Sequence, residues 1–216
     1  MDGVVLALPT GFRAPLVLSA LERGLHVLLE KPAAMSAEEL ERFGESAGDR
    51  ILACCSSRFQ FMPYAEAVRQ TLADGRLGPL RVLRARADGA CGKPNPHPVP
   101  WRLKQAANGG GYLVNWGVYD LDYLMAMTGW SLQPQTVLAQ TFPIAPSIAH
   151  HVAPGSDAET QVVAMVRCAG GEVILLDRGE FMATASSDHL WQIVGERGSI
   201  RQPIKPADPT RIELDE

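Results

Sequence analysis

The first 55 residues alternate between short apolar runs and amphipathic stretches, and this alternation constrains the fold more than any other feature. Apolar runs at residues 4–8, 25–29 and 51–55 are each followed by polar or turn residues. The stretches between them have helical periodicity, and the second opens on a capping box of Ser36 and Glu39. A β-α-β-α-β order predicts a parallel sheet with right-handed crossovers, and continuous apolar runs predict strands buried on both faces.

The pattern changes after residue 56. Helices are predicted at 63–74 and 115–128, separated by a strand at 80–87 and by a long stretch rich in Pro, Gly and Asn between residues 89 and 111. The last third is mainly β, with strands predicted at 136–142, 159–168, 172–181, 189–194 and 199–201. The sequence therefore predicts an α/β plus α+β chain, in which a partial parallel sheet precedes an α/β domain with a large open mixed or antiparallel sheet.

Composition and charge exclude several classes of protein. The chain has 216 residues, is 46% hydrophobic and carries a formal net charge of −4 that is spread without blocks of like charge. Nucleic acids and anionic membranes select a basic face, so neither is expected as a partner. No apolar run reaches the ~18 to 20 residues of a membrane span, and the N-terminus lacks the features of a secretory signal. We therefore expect a cytoplasmic protein.

The cysteine and histidine residues form no recognisable framework. Four cysteines are too few and too scattered for a disulfide network in a chain of this length, which favours a reducing compartment. No His-x-x-x-His or Cys-x-x-Cys spacing is present, so no metal site is predicted. The residues concerned are Cys54, Cys55, Cys91, Cys168, His97, His150, His151 and His189.

The strongest local signal is Glu30-Lys31-Pro32, which follows the second predicted strand. Ligands of open α/β sheets bind beyond the carboxyl ends of the strands. Pro32 favours an extended Lys31, whose ammonium would then project from that edge and could donate to a substrate oxygen or lower the pKa of a neighbouring acid. A solvated lysine at the end of a strand is the alternative interpretation.

A second group of polar residues lies in the predicted helix at 115–128. Asn115, Tyr119 and Asp122 fall at i, i+4 and i+7 and form a polar stripe on a helix that is otherwise apolar and aromatic. This stripe is either part of a binding site or only the side that faces solvent. The preceding glycines, 109–111, are not a phosphate loop, because no Gly-Lys-Ser/Thr follows them.

The order of several motifs resembles that of the Gfo/Idh/MocA family from residue 2 to about residue 201. These motifs are 4–10, 24–32, Ser57-Arg58-Phe59, Leu77-Gly78, Trp101-Arg102, 109–119 and 195–200. The family comprises NAD(P)-dependent oxidoreductases that act mostly on sugars, polyols and related compounds. The resemblance implies a partial Rossmann-like parallel sheet, with residues 1–56 as the C-terminal half of a dinucleotide-binding domain and residues 57–216 as a substrate-binding and oligomerisation domain.

The same resemblance implies the site residues. Lys31 corresponds to the catalytic lysine, and Tyr119 stands where many members have His, which is similar to the glucose-fructose oxidoreductase and dihydrodiol dehydrogenase branch. Asp122 completes the implied catalytic set, and Asn115, which replaces a carboxylate of the family pattern, joins these three as a candidate for substrate binding. The implied residues for binding NAD or NADP are Pro9, Thr10, Glu30, Lys31, Pro32, Arg58, Trp101 and Arg102.

The chemistry of proton transfer gives Lys31 and Tyr119 a joint role. Hydride transfer at a carbinol carbon requires a group that handles the hydroxyl proton, while the cofactor carries the redox chemistry. Tyr has an ordinary pKa near ~10, and an ammonium within ~4 to 6 Å would lower it by stabilising the phenolate. We therefore expect these two residues to form a pair, which a separation of their polar groups beyond ~10 Å would contradict. Trp101 and Arg102, in the Pro-rich stretch, either contact the ligands or anchor the loop.

One element that a dinucleotide fold requires is missing from the sequence. A Gly-x-Gly-x-x-Gly turn, followed ~20 residues later by an acidic residue, anchors a dinucleotide, and neither follows the first strand. Because the resemblance makes that strand the fourth of a nucleotide domain, we expect a chain that lacks the first half. The alternative to a sugar or polyol dehydrogenase is thus a catalytically inactive fragment or pseudoenzyme. In both cases we expect a homo-oligomer, a dimer or tetramer, assembled through the C-terminal sheet.

Overall fold

The computed structural model describes residues 2–55, 58–94, 97, 99–184, 188–204 and 209–215, and of Asp188 only the backbone. Ser57 of the predicted motif, Pro96 and Pro98 of the predicted loop, and residue 56, where the sequence pattern changes, lie outside the described residues. The described residues form two sheets, a small one at the N-terminal end of the chain and a larger one after it.

The small sheet is parallel, as predicted from the alternating pattern. Its elements are β1 Gly3–Leu6, α1 Ala14–Glu22, β2 His26–Leu29, α2 Ala37–Ala47 and β3 Leu52–Cys54. The strands lie in the order β1-β2-β3, and both pairings are parallel. The predicted capping box opens α2: the Ser36 hydroxyl accepts a hydrogen bond from the Glu39 amide at 3.2 Å, and the Glu39 carboxylate accepts one from the Met35 amide at 2.7 Å. Local sequence signals therefore account for this part of the chain.

Only one face of the small sheet is covered by the described residues, which corrects the prediction of strands buried on both faces. α1 and α2 pack on the same side, where Val27 and Leu29 of β2 are 2% and 1% exposed. Side chains that point the other way stay accessible, since Leu28 is 38% and Val5 of β1 is 68% exposed. Side chains alternate between the two faces of a strand, so a continuous apolar run is buried only where both faces are covered.

The other described residues form a seven-stranded sheet and the helices that pack on it. The helical elements are α3 Pro63–Ala73, α4 Gln105–Asn108, a π-helical segment Leu113–Gly117 and α5 Val118–Met127, with 3₁₀ turns at Thr10–Phe12, Arg58–Phe61, Trp101–Leu103 and Pro146–His151. The strands are β4 Leu80–Ala90, β5 Pro134–Phe142, β6 Gln161–Cys168, β7 Val173–Met182, β8 Asp188–Gly195, β9 Gly198–Pro203 and β10 Arg211–Leu214. Across the sheet they run in the order β10-β9-β8-β4-β7-β6-β5.

The large sheet is mixed, which decides between the two predicted alternatives. β4 pairs in parallel with β7 and antiparallel with β8. The predicted hairpin at 169–171 joins β6 to β7, which are antiparallel. One face of the sheet packs on α3 and α5 around an apolar cluster, in which Tyr123 stacks on Trp191 with ring centroids 4.1 Å apart. On the opposite face, Val163 and Met165 of β6 are 44% and 45% exposed.

Several boundaries differ from the sequence prediction for identifiable reasons. β4 continues to Ala90 because β8 pairs with it as far as Asp88 and β7 as far as Ala90. The helix predicted at 115–128 consists of the π-helical segment and α5, so its residues do not follow one continuous helical spacing. β10 has no clear apolar pattern of its own and forms by antiparallel pairing with β9. Tertiary pairing therefore extends or creates strands that local propensity does not signal.

A buried ion pair holds α5 on the large sheet. Asp120 of α5 is fully buried and forms an ion pair with Arg178 of β7, whose Nη2 lies 2.6 Å from Asp120 Oδ1. Trp191 Nε1 of β8 donates to the same oxygen at 2.7 Å. Burial lowers the pKa of Arg178, but hydrogen bonding to the Asp120 carboxylate and its charge raise it overall. Because Asp120 lies between Tyr119 and Asp122 in sequence, this contact sets how the helix presents both.

We expect Asp120→Ala to lower the free energy of unfolding by about 3 to 5 kcal/mol, because it leaves the Arg178 guanidinium buried without its counter-charge. Urea unfolding followed by tryptophan fluorescence measures the change. The matched control is Glu196→Ala, which removes the exposed partner of Arg81 and should cost about 1 kcal/mol or less. Equal losses in the two variants would contradict the role given to the buried pair.

Candidate functional site

Arg13 holds together two loops at the carboxyl edge of the parallel sheet. Its side chain is buried, and its Nε donates to the Leu8 carbonyl oxygen at 2.7 Å. Its Nη1 donates to the carbonyl oxygens of Glu30 and, at 2.5 Å, of Pro32. One guanidinium therefore links the loop after β1 to the loop after β2, which contains Lys31 and a cis Lys31–Pro32 peptide.

Lys31 reaches from this edge to the π-helical segment. Its Nζ donates to the backbone oxygen of Asn115 at 2.7 Å and to Asn115 Oδ1 at 3.2 Å. Its ammonium also lies 5.7 Å from the centroid of the Trp116 ring. The lysine is thus half-buried and bound, and the interpretation as a solvated side chain does not apply.

The surroundings of Lys31 disfavour its charged form. Burial lowers the pKa of Lys31, the guanidinium groups of Arg58, Arg13 and Arg102 lower it further, and the Glu30 carboxylate opposes them. The amide of Asn115 is neutral and supplies no counter-charge. Lys31 is therefore nearer to its neutral form than an exposed lysine at the same pH.

Tyr119 lies beside Lys31, as the expected pair requires. The Lys31 ammonium is 4.8 Å from the centroid of the Tyr119 ring, so the separation that would contradict the pairing is not found. The electrostatics differ from the expectation, however. Burial raises the pKa of Tyr119, and the cation that opposes burial is Arg58, whose guanidinium carbon lies 5.3 Å from the ring centroid. The pKa of Tyr119 is raised overall, which corrects the expectation that Lys31 lowers it.

Asp122 is turned towards a different partner and a different cavity. Gln60 Nε2 donates a hydrogen bond to Asp122 Oδ2. Asp122 lines a mainly apolar cavity of about 470 Å³ together with side chains of α5 such as Leu121 and Met125. The cavity beside Lys31 does not include Asp122 in its lining. The structure therefore brings Lys31, Asn115 and Tyr119 together and places Asp122 next to them, one helical turn away.

A cavity of about 240 Å³ lies at the carboxyl edge of the parallel sheet. The predicted site residues that line it are Pro9, Glu30, Lys31, Trp101 and Asn115. Thr10, the neighbour of Pro9, is 1% exposed, and its hydroxyl oxygen has no hydrogen-bond partner among the described residues. This edge thus holds most of the residues that the family resemblance implies for cofactor binding.

Besides Thr10, three of the implied cofactor-binding residues lie outside the lining of this cavity. Arg102 forms a bidentate ion pair with Glu180 of β7, at 3.0 and 3.4 Å, which favours its interpretation as an anchor of the loop. Pro32 lines the larger apolar cavity. Arg58 is exposed and lies over the rings of Phe59 and Tyr119, at 4.9 and 5.3 Å. Arg58 is therefore placed against the candidate acid rather than in the small cavity.

The glycines at 109–111 have a structural role. The amides of Gly111 and Leu113 donate to the Glu159 carboxylate at 2.6 and 3.2 Å, and the Tyr112 amide donates to the Glu159 carbonyl oxygen at 3.1 Å. A Cβ at position 111 would overlap the Glu159 backbone, so only glycine permits this approach. Glu159 thereby satisfies the free amides at the start of the segment that contains Asn115.

Sequence reasoning missed Arg13, Gln60 and Glu159. No motif marks Gln60 or Glu159, which act through contacts between distant parts of the chain. Arg13 has one recognisable signal, because it lies at the N-terminus of α1, where a positive charge is unfavourable against the helix dipole. In the structure, the Arg13 side chain instead binds the carbonyl oxygens of the two loops.

The described residues contain neither a cluster of three or more possible metal ligands nor a helix with the length and apolar character that crossing a membrane requires. The rings of His150 and His151 contact each other, with centroids 4.1 Å apart. All four cysteines are free thiols.

A carboxyl-edge loop of the parallel sheet presents a lysine beside a cavity, and α5 of the mixed-sheet unit places a tyrosine next to that lysine. This is the arrangement of an α/β oxidoreductase. Residues 65–201 match the model of the GFO/IDH/MocA C-terminal domain. Residues 1–54 match the model of the oxidoreductase family with an NAD-binding Rossmann fold. The chain belongs to the Gfo/Idh/MocA oxidoreductase family.

Relatives of known activity include sugar and diol dehydrogenases. D-glucoside 3-dehydrogenase of Escherichia coli (strain K12) is 32% identical over 133 residues, which are 60% of this chain and 36% of that protein. 1,5-anhydro-D-fructose reductase of Ensifer adhaerens is 30% identical, over 57% of this chain and 37% of that protein. Human trans-1,2-dihydrobenzene-1,2-diol dehydrogenase is 36% identical, over 52% of this chain and 32% of that protein. The chain thus matches about a third of the length of each relative.

Solved structures show the same fold. Levoglucosan dehydrogenase in complex with NADH and L-sorbose matches with a TM-score of 0.83 and 20% identity, over 100% of this chain and 57% of that chain. The aldose-aldose oxidoreductase of Caulobacter crescentus, complexed with glycerol, matches with a TM-score of 0.79 and 22% identity, over 100% of this chain and 61% of that chain. These likenesses establish the arrangement of both sheets.

We expect Asn115→Asp to raise the pKa of Lys31, because a carboxylate within hydrogen-bond distance of the ammonium favours its charged form. NMR titration of ¹³C-labelled lysine side chains, with the Lys31 signal assigned by Lys31→Arg, measures the midpoint. Gln135→Glu makes the same change from amide to carboxylate on the exposed strand β5 and should leave the midpoint in place. A midpoint that does not rise in Asn115→Asp, or that rises equally in both variants, would be inconsistent with the contact.

Proposed function

We propose that this protein is an NAD(P)-dependent oxidoreductase that transfers a hydride between a nicotinamide cofactor and a sugar, polyol or related hydroxy compound. The observation that carries the proposal is the meeting of Lys31 and Tyr119 at the carboxyl edge of the parallel sheet, with the ammonium 4.8 Å from the ring centroid. Such a pair can hold and release the proton of a substrate hydroxyl. Family membership and relatives named as a sugar dehydrogenase and a sugar reductase support this reaction class.

The residues at the small cavity fit one end of a dinucleotide, NAD or NADP. Its volume of about 240 Å³ is below the ~300 to 1,000 Å³ of complete small-molecule sites, so it suits the nicotinamide end rather than the whole cofactor. Pro9, Glu30, Lys31 and Trp101 would hold that end, and next to Pro9 the buried Thr10 hydroxyl has no hydrogen-bond partner among the described residues. When bound, the cofactor supplies or accepts the hydride. The neighbouring structure of levoglucosan dehydrogenase with NADH supports this assignment.

Four side chains of the site transfer the proton and bind the substrate. Tyr119 takes the hydroxyl proton in oxidation and returns it in reduction, and Lys31 donates a hydrogen bond to the substrate oxygen. Because the pKa of Tyr119 is raised, the phenol is protonated at neutral pH and is ready to act as the acid in reduction. Asn115 orients the Lys31 ammonium and contacts the substrate, and Asp122, held by Gln60, binds a further hydroxyl.

The proposal also includes the boundary between the two units of the chain and the compartment in which the protein is found. We assign residues 1–56 to the nucleotide-binding unit and residues 57–216 to the substrate-binding and assembly unit, which the matched spans 1–54 and 65–201 support. The cytoplasm is the proposed location, because free thiols are typical of a reducing compartment.

Titration of the protein with NADH and with NADPH tests whether the cofactor binds. Trp101 lines the small cavity, so binding there should quench tryptophan fluorescence in a saturable way at micromolar cofactor. Trp101→Phe should remove most of the signal, whereas Trp130→Phe, at an exposed site on the larger cavity, should not. Absence of saturable binding of both cofactors would contradict the proposed function and favour the inactive alternative, which the named relatives do not support.

We expect Lys31→Met and Tyr119→Phe each to lower kcat by roughly 10² to 10⁴-fold, because each removes a group that handles the substrate proton. Steady-state turnover of NAD(P)H with sugar substrates measures the loss, and fluorescence titration checks that the cofactor still binds. Lys104→Met is the control, since its ammonium pairs with Asp157 at the surface, and it should keep full activity. Unchanged kcat in Tyr119→Phe would refute its role as the acid.

The open face of the large sheet supports the proposal of a homo-oligomer, a dimer or tetramer. Leu138 of β5 lies opposite Met165 of β6 on that face, and the two are 71% and 45% exposed. Val163, two residues from Met165 and on the same face, is 44% exposed. A contiguous group of exposed apolar side chains of this kind is typical of a protein interface.

We expect Met165→Asp to lower the molar mass measured by light scattering after gel filtration, because it places a charge in the proposed interface. Val137→Asp is the matched control: Val137 is 62% exposed but pairs with buried Val166, so it points to the opposite face of the sheet. It should leave the assembly unchanged. A monomeric unmodified protein, or dissociation of both variants alike, would count against assembly through this face.

A further inference from the structure

Two cationic side chains from different parts of the chain lie close to the ring of Tyr119. The Lys31 ammonium is 4.8 Å from the ring centroid, and the Arg58 guanidinium carbon is 5.3 Å from it. From the sequence, only the lysine is expected to act on the phenol, and Arg58 is expected to bind the cofactor. Either cation is close enough to stabilise the phenolate, so the charge that each one offers must be compared.

The short helix Arg58–Phe61 packs against the polar stripe of α5. Phe59 packs edge-on against Tyr119, with centroids 5.9 Å apart, and against Trp191, with centroids 5.0 Å apart. Gln60 donates to the Asp122 carboxylate. Three successive residues, 58–60, therefore contact Tyr119 or Asp122, and the Phe59 ring fixes the segment to the core of the large sheet.

The two cations differ in how much of their charge is available to the phenol. Two hydrogen bonds direct the Lys31 ammonium to Asn115, and its pKa is lowered, by burial first and by the neighbouring arginines next. A guanidinium stays protonated at every pH at which a protein is folded. Arg58 is exposed, and its guanidinium lies over the rings of Phe59 and Tyr119. As the solution becomes alkaline enough to ionise a tyrosine, Lys31 loses its charge and Arg58 keeps it.

The other charged and titratable groups around the phenol do not stabilise its anion. Burial, the Glu30 carboxylate and the Cys55 thiol all raise the pKa of Tyr119. Arg58 opposes them twice, as a positive charge and as a hydrogen-bond donor to the phenol. Asp122, one turn further along α5, is a second carboxylate on the same side and is bound by Gln60.

We propose that Arg58 is the positioning residue that holds the Tyr119 ring and stabilises its phenolate, a task that the sequence motif assigns to Lys31. The use of that phenolate in hydride transfer rests on the proposed function, whereas the pairing of phenol and guanidinium does not. In oxidation, the phenolate takes the substrate hydroxyl proton and becomes the neutral phenol. Arg58 acts only through Tyr119 and does not touch the substrate.

Spectroscopic titration of the tyrosines in the protein without cofactor tests this pairing. Phenolate absorbance is followed against pH, and subtraction of the Tyr119→Phe curve isolates Tyr119 from the other buried tyrosines, while far-UV circular dichroism monitors folding. We expect Arg58→Met to move the Tyr119 midpoint upward by about 1 pH unit. Arg58→Lys should recover part of the shift, because it keeps a charge, and Lys31→Met should move the midpoint less than Arg58→Met does.

Arg167→Met is the matched control, because Arg167 is an exposed arginine on β6 whose partner is Gln135, and it should leave the midpoint unchanged. A midpoint that stays in place in Arg58→Met, or that moves more in Lys31→Met, would overturn the proposal. This result does not depend on the proposed reaction. A shifted midpoint in a protein that does not bind NADH would refute the proposed dehydrogenase function and still support the pairing of Arg58 with Tyr119. In an active protein, the alkaline limb of the pH profile of kcat/KM should move in the same direction as the Tyr119 midpoint. If the midpoint moves and the alkaline limb does not, Arg58 does not act on the reaction through Tyr119.

Discussion

The candidate site depends on the buried contact between Asp120, Arg178 and Trp191. Removing one partner from a buried ion pair is costly, because the remaining charge has no water to solvate it. The pair therefore allows α5 one position on the large sheet, with Asp120 fully buried. Tyr119 and Asp122 flank that anchor along the chain, so their positions follow from a contact that takes no part in the chemistry.

Main-chain atoms of the site are held by two further charged side chains. Arg13 binds the carbonyl oxygens of the loops after β1 and β2, and Glu159 binds the amides at the start of the segment that leads to Asn115. The first places Lys31 and the second places its partner Asn115, so the contact of 2.7 Å between them joins two independently fixed backbones. Preorganisation of this kind lets a lysine and a tyrosine from distant parts of the chain meet without flexible loops.

Much of the fold and part of the site were predictable from the sequence. The capping box at Ser36, the apolar runs and the order of the strands predicted the parallel sheet, and the position of Lys31 after β2 predicted its place at the carboxyl edge. The prediction that both faces of the parallel sheet are covered was wrong, because Val5 is 68% exposed. Burial depends on the neighbouring elements, and the sequence of a strand does not specify them. The lowering of the Tyr119 pKa was wrong for a related reason: burial outweighs a single charge, and burial is a property of the packed structure.

The sequence by itself determined the alternation of strand and helix, the family and the residue types at the reactive positions, since these depend on local periodicity and on motif order. Only the tertiary structure decided which cations face Tyr119, which cavity Asp122 lines and why Gly111 is a glycine. Each of these depends on residues that are far apart in the chain, such as Arg58 and Tyr119 or Gly111 and Glu159. Distance, burial and charge act through space, so the electrostatics of the site are defined only once the chain has folded.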